Sequence, residues 1–231
     1  MTGLLSPLFR LDRRATLAVR DFHAPARDRL VKRVSFFGSQ RFMISATFTA
    51  AAALLAVGQG RLAAWFGAAV LGGRALSPLL KWTFRRTRPN LWPALETEKS
   101  HSFPSTHSTM AAVFFGGLCA VVFRLISNPF WRGGALLFCA LAIGAIAFSR
   151  VYLGAHWLSD VAGGVALGLC WLLLWTLACH TVLPRSPERG GLGSARARLL
   201  LPEPAGRRQN GRTADEQRSR FSSLPRRLAE S

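Results

Sequence analysis

Long uncharged apolar runs, separated by short polar interruptions, fill the middle of this 231-residue chain. Phe42 to Gly60, Leu62 to Leu80, Phe103 to Phe123, Gly133 to Ser149 and Val161 to Leu183 each come close to the roughly 20 residues that cross the hydrocarbon core of a bilayer. Arg74 is the only formal charge inside them. Hydrocarbon offers no partners to backbone N–H and C=O groups, so each run must bond within itself as a helix. The pattern predicts an all-α, polytopic membrane bundle with about five transmembrane helices. Ahead of the runs, Leu11, Ala15, Ala18 and Phe22, then Ala26, Leu30, Val34 and Phe37, recur at helical spacing with a break at Pro25. That predicts two short amphipathic helices lying on the membrane surface. Beyond Pro184 the chain turns to Pro, Gly, Ser and Arg, a composition that cannot bury a core. The expected organisation is an interfacial segment over 1–41, a transmembrane domain over 42–183 and a disordered basic tail over 184–231.

Composition sharpens this picture in one respect. Half of the residues are hydrophobic while the formal charge is +19. A basic chain that is also this apolar is accounted for by a membrane and not by nucleic acid, whose soluble binders have no use for long uncharged runs. Cys119, Cys139, Cys170 and Cys179 all lie inside the runs, show neither metal-ligand nor paired-redox spacing, and read as small apolar residues. No short apolar stretch is followed by a small-residue cleavage site at the N-terminus, so no removed leader is expected.

Counting spans puts the segment 81–102, after the second run, and the segment 150–160, after the fourth, on the same face of the membrane. Polar chemistry converges there, in KWTFRRTRP (Lys81 to Pro89), FPSTH (Phe103 to His107) and SRVYLGAHWLSD (Ser149 to Asp160). Lys81 and Arg88 flank an expected helix end and suit an anion with several oxygens. With Pro104 in a first helical turn, the amides of Ser105, Thr106 and His107 would be free donors, a second anion site. His156 and Asp160 are four residues apart at the start of the fifth run, hence on one helix face. There the carboxylate can accept from one imidazole nitrogen and leave the other as a fixed lone pair. Such a histidine serves as ligand, base or nucleophile. One His and one Asp among cations are too few donors to hold a metal ion, so the combination points to phosphate.

Lys81, six residues, Arg88-Pro89; Pro104-Ser105-x-His107; and Ser149-Arg150, five residues, His156, three residues, Asp160: this three-part pattern resembles the type 2 phosphatidic acid phosphatase superfamily, whose fold is shared with vanadium haloperoxidases. The resemblance spans 81–160. It departs at Thr106, where the family usually has Gly. Thr keeps the backbone N–H, but its β-branched side chain narrows the site. The resemblance implies that His156 takes the phosphoryl group as a phosphohistidine and that Asp160 holds its tautomer. His107 would protonate the leaving oxygen and then help activate water. Lys81, Arg88, Ser105, Thr106 and Arg150 would hold the phosphoryl oxygens, with no metal or other cofactor, and Gly154 would supply the turn between Arg150 and His156.

The implied activity is hydrolysis of a phosphate monoester or diphosphate on a lipid, phosphatidate, phosphatidylglycerol phosphate and a polyprenyl diphosphate all fitting. The partners are then a lipid phosphate substrate and membrane lipids, with no nucleic acid. A phosphotransferase on the same fold and a catalytically silent binder of anionic lipid are the alternatives. Arg85, Arg86 and Arg124 read as boundary arginines snorkelling to headgroups, and His23, His101 and His180 as structural. Arg74, an intramembrane charge, is a functional candidate without an assigned partner. The basic ends fall on opposite faces and nearly balance, so charge does not orient the chain. Resemblance to bacterial members suggests an outward-facing site in the cytoplasmic membrane.

Overall fold

The computed structural model describes residues 6–179, and every described element is an α-helix or a loop. His180 and the expected tail at 184–231 lie outside the described residues. Two short helices, α1 (Ser6–Arg20) and α2 (Pro25–Phe37), precede α3 (Gln40–Ala56), α4 (Gly60–Phe84), α5 (Thr106–Leu125), α6 (Pro129–Tyr152) and α7 (Leu158–Ala178). The boundaries follow local chemistry. Pro25 and Pro129 sit in first turns, where a missing N–H costs nothing. Ser39 and Asn128 cap α3 and α6 by accepting from Phe42 N at 3.3 Å and Phe130 N at 2.9 Å.

Among the described residues, a helix forms within each of the five apolar runs. Four of them, α4 to α7, are long and apolar enough to cross a membrane. The exception is α3, whose 17 residues measure about 26 Å, short of the roughly 30 Å hydrocarbon thickness. The chain is an integral membrane protein, and its surface agrees: Phe130, Trp131, Leu137, Phe138 and Leu141 on α6 and Leu173, Leu174 and Leu177 on α7 point outward. In water that surface would drive association, whereas in lipid it is an ordinary exterior.

Helix α5 is the hub, packing against α3, α4, α6 and α7. Its Met110, Val113 and Phe114 join Phe66 and Val70 of α4 and Leu172 of α7 in the main core. The α5/α7 crossing is the closest. A Cβ on Gly168 would stand 2.6 Å from Thr109 O, and one on Gly164 would stand 2.7 Å from Ser105 O. Two small residues one turn apart thus let α7 lie on the α5 backbone, as small-xxx-small seams do in membranes.

The N-terminal helices form as the periodicity predicts, with the break at Pro25. Their sidedness is informative. Leu8, Phe9, Leu11 and Leu17 of α1 are exposed, as is Phe22 in the turn that follows, whereas Asp12 and Thr16 are buried. Helix α1 packs on α6 and α7 with Asp12, Thr16 and Val19 turned inward.

Candidate active site

The segments after α4 and α6 meet at one end of the bundle, as span parity requires. Leu95 N donates to Leu153 O at 3.0 Å, and Trp157 Nε1 to Thr87 O at 3.0 Å, tying one loop to the other. Helix α4 ends at Phe84, with Arg85 in the left-handed conformation at φ 45°, so Lys81 and Arg88 do lie on either side of a helix end. Gly154, at φ 71°, makes the turn between α6 and α7. It lets the His156 and Ala155 amides both reach Arg150 O at 3.2 Å.

His156 is fully buried. Arg88 Nη1 lies 3.2 Å from its Nε2. A guanidinium only donates, so Nε2 is the acceptor and the ring proton sits on Nδ1. Asp160 Oδ2 faces Nδ1 at 3.6 Å, a charge contact longer than a hydrogen bond. Burial, with Arg88 and Arg150 reinforcing and Asp160 opposing, lowers the His156 pKa to about 4. At neutral pH the ring is therefore uncharged and Nε2 carries a lone pair, as a nucleophile requires.

Around that lone pair stand the expected cations. Lys81 is buried and donates to Ser100 Oγ at 3.1 Å and His101 O at 2.9 Å. Arg88 donates to Ala155 O and Ser100 O as well as to Glu98 Oε2 at 2.8 Å. Arg150, fully buried at the end of α6, donates to Ser35 Oγ and Glu96 Oε2, each at 2.6 Å, and to Glu98 Oε1. His107, on the first turn of α5, has Nδ1 3.7 Å from Glu98 Oε1. Thr106 opens α5 and lines a cleft of about 400 Å³ with Lys81, Ser100 and Gln40.

Two details of the second motif differ from expectation. Pro104 stands outside α5, and Ser105 is its N-cap, with Oγ engaged by Ser108 Oγ at 3.0 Å and facing Ser108 N at 3.5 Å. The Ser105 amide is also spent, donating to Asp160 O at 3.0 Å. The residue after a buried cap contributes free amides, so the outward donors are those of Thr106 and His107.

Sequence reading missed two groups. Glu96 and Glu98 are the first: the two carboxylate oxygens of Glu98 bridge Arg88 and Arg150 as two oxygens of a phosphoryl group would. Two acids with one residue between them, in a loop of a chain with only 11 acids, were the available signal. The second is Arg86, expected at the headgroups. It is instead clamped to Asp160 Oδ1 at 2.5 Å and to Asp12 Oδ2 at 2.6 Å, because two buried carboxylates need a cation more than the membrane surface does. Arg85 does remain exposed, over the Trp82 ring. His23 stacks on Tyr152 away from the cations, whereas His101, with its side chain exposed, lines the same cleft and accepts from Lys81 through its carbonyl. Arg74 is exposed on α4 beside a small apolar cavity of about 70 Å³ between α3 and α4.

A family model described as PAP2 superfamily matches residues 62–183, just over half of the chain. The chain belongs to the PAP2 superfamily. Phosphatidylglycerophosphatase B of Bacillus subtilis is 39% identical over 101 residues, 42% of this chain and 47% of that protein. A putative undecaprenyl-diphosphatase of Escherichia coli is 32% identical over 123 residues, 48% and 58% of the two chains. The match thus spans about half the length of these curated relatives. Among solved structures, a transmembrane PAP2 type phosphatidylglycerolphosphate phosphatase from Bacillus subtilis superposes with a TM-score of 0.70 at 23% identity, covering 79% of this chain and 89% of that one. The likeness establishes a PAP2 membrane fold for this helical bundle.

Proposed function

We propose that this PAP2 protein hydrolyses a phosphate monoester or diphosphate on a lipid through a phosphohistidine on His156, without a metal ion. The observation that carries the reading is the buried, uncharged His156, whose Nε2 lone pair adjoins a cradle of Arg88 and Arg150 that already holds an anionic group. In the first step His107, which takes up a proton as the phosphoryl anion enters and offsets the surrounding cations, gives that proton to the lipid oxygen as Nε2 attacks phosphorus and the bond to that oxygen breaks. Asp160 closes on Nδ1–H as the ring becomes cationic. In the second step His107 takes a proton from water, the oxygen of that water attacks phosphorus, and the N–P bond breaks to release inorganic phosphate. Lys81, Arg88, Arg150 and the Thr106 amide oppose the charge that builds on the phosphoryl oxygens, and Ser105 acts by capping α5. Metal-free chemistry is supported by the donor set, because cations surround His156 and would repel an added one.

The named activities of the relatives, against phosphatidylglycerophosphate and undecaprenyl diphosphate, support a lipid substrate. Their bacterial sources support an outward-facing site in a cytoplasmic membrane. The test is phosphate release from phosphatidate, phosphatidylglycerol phosphate and a polyprenyl diphosphate by purified protein in excess chelator. Release from at least one, lost to below about one part in a thousand in His156→Ala, is expected. Retention of activity in that variant would remove the covalent step, and no release from any substrate would leave an anionic-lipid binder.

A further inference from the structure

On its Asp160 side, His156 connects to the first helix of the chain through charges alone. Asp160 accepts from Arg86 Nη1 at 2.5 Å, from Trp157 N at 2.9 Å and from Ser102 Oγ. The other arm of Arg86 donates to Asp12 Oδ2 at 2.6 Å, and its Nη1 also donates to Ser159 Oγ at 2.7 Å. Asp12 in turn accepts from Ser159 N at 2.8 Å and Ser159 Oγ at 2.6 Å. The N-cap of α7, Trp157, has no side-chain cap of its own, so Asp12 does from another helix what a capping residue does locally. Asp12 is 1% exposed. A buried carboxylate on a helix whose other face is apolar is costly unless it is paired, and Asp12 is paired with Ser159 in the first turn of α7 and with Arg86, which itself holds Asp160.

Resting on the phosphatase reading, we propose that Arg86 and Asp12 are positioning residues for the His156–Asp160 pair. Arg86 fixes the Asp160 carboxylate and sets how much of its negative charge reaches the imidazole, while Asp12 sets how much positive charge Arg86 brings to the pair. The other groups facing His156 are Arg88 and Glu98 from the α4–α5 loop, Arg150 from α6 and His107 from α5. All of these stay in place when Arg86 or Asp12 is changed. The sign of the effect then differs between the two. Arg86→Gln removes a cation, so protonated His156 becomes easier to form and its titration moves to higher pH. Asp12→Asn leaves the Arg86 charge uncompensated, so the titration moves to lower pH. Each displacement is a fraction of a unit to about one unit, below the 1–3 units exerted by a charge in direct contact.

The readout is the His156 ring titration, followed by NMR in full-length protein with labelled histidine rings and assigned by its absence in His156→Ala. It requires no turnover, so it stands whether or not the phosphatase reading does. Single-turnover phosphorylation by p-nitrophenyl phosphate runs alongside and should slow about 100-fold in Arg86→Gln with half-saturation changed less than about threefold. Arg86→Lys, which keeps the charge, should titrate like the wild type. Midpoints ordered Asp12→Asn, wild type, Arg86→Gln support the proposal. Midpoints that coincide, or that move in the same direction, overturn it. If Arg86→Gln does not fold, Asp12→Asn decides alone, since its amide oxygen can still accept from Ser159 N: an unmoved midpoint there overturns the proposal. A wild type that titrates as expected but forms no phosphohistidine overturns the functional reading instead.

Discussion

Glu98 occupies the place where a phosphoryl group is expected, so neutralising it should tighten anion binding. Burial pushes the Glu98 carboxyl up, but Arg150 and Arg88, joined by the His156 and His107 rings when these are protonated, outweigh that and hold it at about 2 against an ordinary 4.5. The gap of about 2.5 pH units corresponds to about 3 kcal/mol of preference for the charged form. With the side chain 22% exposed, solvent screening trims this to about 1–3 kcal/mol. An incoming phosphate must displace the carboxylate from the same guanidinium hydrogens, so its apparent affinity is lowered by that amount. Glu98→Gln should therefore bind inorganic phosphate about 10- to 100-fold more tightly at pH 7, read by calorimetric titration or by phosphate-dependent protection against heat. Unchanged or weaker phosphate binding would refute the reasoning, because the carboxylate would then not be a competitor for the cradle. The pH dependence has a definite sign. A carboxyl with a folded pKa below its unfolded value contributes stability that is present above the unfolded value and lost as pH falls towards the folded one. The stability deficit of phosphate-free Glu98→Gln should accordingly be full at pH 7 and shrink as pH drops from about 4.5 towards 2.

Two further outcomes follow from the same geometry. His107→Ala should cost on the order of 10²- to 10⁴-fold with a lipid monoester, whose alkoxide needs a proton, and much less in the phosphorylation step with p-nitrophenyl phosphate; equal losses in single-turnover measurements would make His107 a phosphate-positioning group. Gly168→Ala should destabilise the bundle by about 1–3 kcal/mol and lower turnover by less than about 100-fold, since its Cβ would meet Thr109 O and shift α7 against α5 by a fraction of the ~1 Å that costs that factor. Wild-type melting and turnover would show the seam to be tolerant.

The bundle was legible because hydrocarbon imposes a single rule on every span, and apolar length reports that rule directly. The site was legible wherever its geometry is local. His156 stands just ahead of α7, yet its separation of four from Asp160 still brings Nδ1 to 3.6 Å from Oδ2, and Gly154 makes the turn between α6 and α7 at a positive φ. Arg86 was misread for the complementary reason. Its partners Asp12 and Asp160 lie 74 residues away on either side, and no spacing rule covers a pairing created by the packing of α1 on α7. Next to a membrane, an unpaired arginine reads as a snorkelling one until its carboxylates are seen. Glu98 escaped similarly: an acid in a basic loop looks solvated until the loop is folded over Arg88 and Arg150. Ser105 has a structural task that its motif does not announce, since its oxygen accepts from Ser108 at the start of α5, which leaves its hydroxyl proton to serve a ligand.

The charges at this end of the bundle divide into two sets with different obligations. Lys81, Arg88 and Arg150 would repel one another if left bare in a buried pocket, and the acids that offset them, Glu96 and Glu98, come from a loop and not from a helix. Asp160 and Asp12, by contrast, sit on helices, are almost wholly buried, and are held by Arg86, Ser102, Ser159 and the Trp157 amide. Releasing Asp160 would leave the buried His156 ring without its carboxylate and Arg86 with Asp12 alone, which carries part of the penalty of an uncompensated charge. Releasing Glu98 strands nothing if a phosphoryl group arrives, since the incoming dianion satisfies the same guanidinium groups with more charge. The acid that must keep the His156 tautomer is thus on rigid helical backbone, and the acid that must yield to substrate is on a loop. That division is what a site needs if it is to stay folded when empty and still admit an anion.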